Sequence, residues 1–130
     1  MKFICSGYFD ETAWNAMPDA EQQTFMDKCL AFDAELRRSG NWLGGEALQS
    51  ARNAVTIRLK NGAVTATDGP FSETKEQVGG ILYLEARDLN HAIALMSKHP
   101  GLRAGPFEIR GVDEEFTRMI LAKSAELAKG

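Results

Sequence analysis

The chain has 130 residues, with 15 Lys and Arg against 18 Asp and Glu, a formal charge of -3 and 44% hydrophobic residues. This is the length of one domain with one core, and the composition excludes an intrinsically disordered chain. A mildly acidic sequence without a basic block is a poor phosphate-backbone binder. No apolar run reaches the roughly 18 residues of a membrane-spanning helix, so direct nucleic-acid and membrane roles are set aside. Asp10 and Glu11 come too early for a signal peptide, and a cytoplasmic location is expected. Cys5 and Cys29 are too few for a disulfide framework, and His91 and His99 have no cysteine cluster beside them, so neither a metal nor a cofactor is expected.

In chain order, residues 2–9 read as a central strand, apolar on both faces. Residues 10–18 read as a loop around Trp14, closed by Pro18. A helix follows over residues 19–39, with Asp19 and Gln22 placed as a capping box. Its apolar stripe is Phe25, Cys29, Phe32 and Leu36, and Gly40 stops it. Residues 42–48 form a short strand whose Gly44-Gly45 predicts a bulge or a close approach by another group. The alternation over 55–60, the Asn61-Gly62 turn and the return over 63–67 predict a hairpin. An irregular segment covers 68–80, a strand 81–86, and a helix capped by Asp88 ends at Lys98-His99-Pro100-Gly101. The last strand spans 106–112, and Asp113 caps a C-terminal amphipathic helix. Two βαβ halves around a hairpin predict an α+β fold: a ferredoxin-like split βαβ antiparallel sheet with helices on one face. The other sheet face needs a cover, and a homodimer paired through the sheet supplies one.

The densest polar segment is Asp68-Gly69-Pro70-Phe71-Ser72-Glu73-Thr74-Lys75-Glu76. Gly69 and Pro70 make a stiff turn that aims Asp68 and Phe71, and acid–base chemistry needs groups held this way. The segment reads either as such a site or as an Asx-turn cap, a core anchor and a solvated charge run. His99 at a helix end is either half of an Asp–His proton-handling pair or a histidine that answers the helix dipole. Glu108 and Arg110 share a face of the last strand, as a substrate clamp or as an internal ion pair. Trp14 and Trp42 offer apolar walls, while Cys5 and Cys29 fall on apolar stripes as inert core residues.

The run from Asp68-Gly69-Pro70-Phe71 through Gln77-Val78-Gly79-Gly80 resembles the DGPF-domain proteins, a branch of the YCII-related family. Matches to the same family flank it at the Met1-Lys2 strand, the Asp10 to Trp14 segment, Gly44-Gly45-Glu46-Ala47-Leu48, Pro100, Gly105 and Glu108-Ile109-Arg110. The resemblance covers residues 1–112 and leaves 113–130 as a helical extension. Gly111 departs from it, since family members commonly carry proline after that arginine. The resemblance implies a dimeric α/β barrel with no established activity, a suspected His–Asp acid–base pair in the YCII branch, and an association of some members with extracytoplasmic-function sigma factors.

Three functions follow as expectations. In the first, a small polar or anionic molecule binds in a cleft near the DGPF loop. There Asp68 is the base or the orienter of His99, Glu73 and Glu76 are its partners, Lys75 and Arg110 bind the anion, and Trp14 contributes to binding. In the second, the chain is a non-enzymatic interaction module with a sigma factor as partner. In the third, Trp14, Trp42 and Phe71 line the pocket of a metal-free oxygenase acting on a small aromatic molecule.

Overall fold

Apolar side chains on both faces of Lys2–Asp10 suit a strand with neighbours on either side. In the computed structural model, which describes residues 1–130, this strand, β1, pairs antiparallel with both Glu76–Glu85 and Phe107–Gly111. After β1 come α1 (Glu11–Asn15), α2 (Asp19–Arg38), β2 (Trp42–Ala47), β3 (Val55–Lys60) and β4 (Ala63–Asp68). Then follow β5 (Glu76–Glu85), α3 (Leu89–Met96), β6 (Phe107–Gly111) and α4 (Glu114–Lys129). Short 3-10 turns occur at Ala51–Asn53 and Pro100–Arg103. The main sheet has the order β2-β5-β1-β6, antiparallel throughout. β1-α2-β2 and β5-α3-β6 are thus interleaved βαβ halves, the ferredoxin-like α+β arrangement. The β3–β4 hairpin is a separate two-stranded sheet inserted between them.

One core cluster joins Phe3 and Cys5 of β1, Leu82 and Leu84 of β5, Leu36 of α2, and Ala92 and Met96 of α3. Side chains alternate along a strand, so α2 and α3 cover the same sheet face. The other face carries Ile4, Ser6, Ile81 and Tyr83, all half-buried. No residue of α4 is buried, and its Phe116, Met119, Ile120, Leu121 and Leu127 stay exposed.

On the covered face three aromatic rings lie against three glycines: Phe107 on Gly7, Trp42 on Gly45 and Phe9 on Gly79. A Cβ on Gly7 would stand 2.8 Å from the Phe107 ring, and one on Gly45 2.9 Å from Trp42. Glycine here lets a ring lie against the strand backbone. Gly79 is the unpaired residue of a bulge, because Gly7 pairs with Gly80 while Tyr8 pairs with Val78. A second register shift, between Trp42 and Gly44, fulfils the expectation placed on the glycine pair.

Three local expectations are corrected. Residues 11–15 are helical rather than loop, because Asp10 accepts from the Thr12 and Ala13 N–H groups as a side-chain cap. The capping box at Asp19 does not form: Pro18 occupies the N-cap position, and the Gln22 amide donates to the Trp14 carbonyl at 2.8 Å. β5 begins at Glu76, not at Ile81, since pairing with β1 extends through the glycines.

Candidate functional site

His99 owes its position to the residue after it. Proline disfavours helical geometry at the preceding residue, and His99 is extended at ψ 125 just beyond the end of α3. Pro100 opens the 3-10 turn, and the His99 side chain caps it, Nδ1 accepting the Gly101 N–H at 2.9 Å. The ring proton therefore sits on Nε2, which donates to Asp33 Oδ1 at 2.9 Å. The imidazole lies between Phe32 and Phe107, with ring centroids 5.1 and 5.0 Å away. His99 is 7% exposed. Asp33 is 21% exposed.

Both residues line a cavity of about 480 Å³ between α2 and the covered sheet face. Its floor includes the glycine-backed rings of Phe9, Trp42 and Phe107. α2 contributes Phe25, Met26, Cys29, Leu30 and Asp33, and Trp14 closes one side, edge-on to Phe25 at 5.5 Å. A mostly apolar pocket with a few convergent polar groups is the usual form of a small-molecule site. Burial, and then the charge of Asp33, raise the Cys29 thiol above its ordinary range. Burial pushes the Cys5 thiol up to about 11. Both thiols are free, and neither is a ready nucleophile.

The DGPF segment lies elsewhere. Gly69 turns the chain at φ +108, with its N–H donating to the Ala54 carbonyl at 2.7 Å and its carbonyl accepting from Thr56 at 2.9 Å. Asp68, Glu73 and Lys75 come together in an open polar cleft of about 660 Å³, with Asp10, Glu11 and Arg52. Asp68 is exposed and makes no side-chain hydrogen bond, so the expected Asp68–His99 pair is not formed within the chain. Phe71 is 78% exposed and neither anchors the core nor walls the histidine cavity; Arg58 lies over its ring at 5.3 Å. Glu76 and Arg110 line neither cavity. Arg110 meets Glu108 at 3.3 Å in an exposed ion pair, and Trp14 belongs to the histidine cavity. No group of three or more His, Cys, Asp or Glu side chains is placed to hold a metal ion, and no helix is long and apolar enough to cross a membrane.

The family model of the YCII-related domain matches residues 1–116. The chain belongs to the YCII-related family. An uncharacterised protein of Rhizobium meliloti is 28% identical over 107 residues, 79% of this chain and 85% of that protein. Among solved structures, the chain is similar to a 5-chloro-2-hydroxyhydroquinone dehydrochlorinase of Burkholderia phenoliruptrix in complex with 2,5-dihydroxybenzoquinone. That likeness has TM-score 0.45 and 15% identity, and covers 87% of this chain and 94% of the other.

In this YCII-related chain the functional candidate that sequence reasoning missed is Asp33. It follows Cys29 by four residues and precedes Leu36 by three, so it shares their face of α2. A carboxylate on the buried side of an amphipathic helix needs a partner. That was the available signal, and His99 is the partner.

Proposed function

We propose that the chain performs acid–base chemistry on a compact, largely apolar small molecule held between α2 and the sheet, with Asp33 exchanging the proton and His99 holding Asp33 in place. One observation carries this: a 7% exposed imidazole, fixed at both ring nitrogens, shares an apolar cavity with its carboxylate partner. Fixed groups of this kind are what proton transfer requires. The DGPF cleft gathers more charge but holds Asp68 exposed and unbonded. The test is solvent-deuterium incorporation into a panel of hydroxylated cyclic ketones, followed by mass spectrometry. Exchange should depend on the protein and disappear in both Asp33→Ala and His99→Ala. Exchange that survives both, or that disappears in Asp68→Ala instead, contradicts the assignment.

The working unit is a homodimer. The chain exposes 9441 Å², while a compact monomer of its length exposes about 6,800 Å². The surplus of about 2,600 Å² per chain is ample for a stable interface. It includes Ile57, Leu59 and Val64 of the hairpin, each roughly 70% exposed, and the half-buried open sheet face. Sedimentation equilibrium should give twice the chain mass, and Ile57→Asp with Leu59→Asp should shift it toward the single chain. A wild-type monomer would contradict the dimer and leave this surface to a different protein, as the interaction-module expectation holds.

A further inference from the structure

Resting on the acid–base assignment above, we infer that a bound molecule meets Asp33 Oδ2 rather than His99, and that the occupant is a neutral ring bearing a hydroxyl or N–H donor, with carboxylates and phosphates excluded. Both nitrogens of His99 are taken, Nδ1 by the Gly101 N–H and Nε2 by Asp33 Oδ1, each at 2.9 Å. The imidazole thus has no free nitrogen to offer a ligand, although its ring lines the cavity. Asp33 differs. Its Oδ2 makes no hydrogen bond. No polar side-chain atom in the chain is both buried and unpartnered, so this oxygen is accessible, on a residue that lines the cavity.

The sign of the charge selects the occupant. The carboxylates lining the cavity are Asp33 and Glu46, and no lysine or arginine lines it. Arg37 is stacked on the Trp42 ring at 4.6 Å and does not reach the lining. An anion entering here loses its hydration without gaining a cation and meets a carboxylate of like charge. A hydroxyl donating to Asp33 Oδ2 gains a charge-assisted hydrogen bond, while its ring contacts Trp14, Phe9 and Trp42. His99 is then a positioning residue: its Nε2–H holds Oδ1 and leaves Oδ2 turned to the occupant. This replaces the anionic ligand, with Lys75 and Arg110 as its binders, that the sequence suggested.

The test titrates the full chain with phenol, toluene and benzoate at neutral pH, following the indole N–H signals of Trp14 and Trp42 by NMR. Phenol should bind at least ~10-fold more tightly than benzoate and more tightly than toluene. Asp33→Asn should narrow the phenol–benzoate gap by a similar factor. Benzoate or toluene matching phenol in the wild-type chain overturns the inference and leaves the pocket assignment standing. The wild-type order decides this even if the variant does not fold. A gap unchanged in a folded Asp33→Asn chain overturns it as well. If none of the three probes moves either indole signal, the pocket assignment falls, and this inference with it.

Discussion

Gly105→Ala should lower stability by about 3 kcal/mol, which for a chain of this length is a fall of roughly 10 °C in Tm. A Cβ at this position would overlap the carbonyl oxygen of Tyr8. The obstacle is backbone rather than the end of a flexible side chain, and the backbone is held: the Tyr8 N–H donates to the Pro106 carbonyl at 2.9 Å. Relief therefore requires β6 to separate from β1 where it enters the sheet. Ala104 and Phe107 on that segment line the cavity, so ligand binding should weaken together with stability. Gly111→Ala is the control, because a Cβ there would sit an ordinary 3.5 Å from the Phe3 ring. It should change stability by less than about 1 kcal/mol. Thermal unfolding followed by circular dichroism separates the two. Equal midpoints would show that the contact at Gly105 does not constrain the fold.

His99→Ala should cost about 2–4 kcal/mol, combining a cavity between Phe32 and Phe107 with the loss of two hydrogen bonds. The Gly101 N–H loses its acceptor, and Asp33 keeps its charge without a partner on an otherwise apolar helix face. Asp33→Asn should cost less, about 1 kcal/mol, because the amide oxygen still accepts from Nε2–H and only the charge assistance is lost. Urea unfolding of the three chains measures both differences. A His99→Ala chain as stable as wild type would mean that the imidazole is not packed and bonded as described. The same substitution should remove the deuterium exchange, whereas Asp68→Ala should leave both stability and exchange unchanged.

Much of the fold was legible because it rests on local periodicity. The alternation in β1, the stripe Phe25-Cys29-Phe32-Leu36 and the Asn61-Gly62 turn each specify an element without reference to the rest of the chain. The sequence reads β5 too short because Gly79-Gly80 has poor strand propensity, and Gly79 is accommodated as the unpaired residue of a bulge against β1 with the Phe9 ring lying on it. The site divides in the same way. His99-Pro100-Gly101 is visible as a helix end, and the sequence offers His99 as a candidate, but it points to an acid in the segment with the most charge. Charge density marks exposure at least as often as chemistry, and Asp68 is exposed. Asp33 is 66 residues away from His99 in sequence, and the contact arises only when α2 packs against the 3-10 turn at Pro100–Arg103. The helical stripe that includes Cys29 and Leu36 was the place to look for it.

The most direct test of the account is the long-range ¹H–¹⁵N spectrum of the His99 imidazole, recorded on wild type, Asp33→Asn and Asp68→Asn. Nδ1 should be unprotonated and Nε2 protonated, with the Nε2 signal moving in Asp33→Asn and unmoved in Asp68→Asn. A proton on Nδ1, or an Nε2 signal that follows Asp68 instead of Asp33, would contradict it.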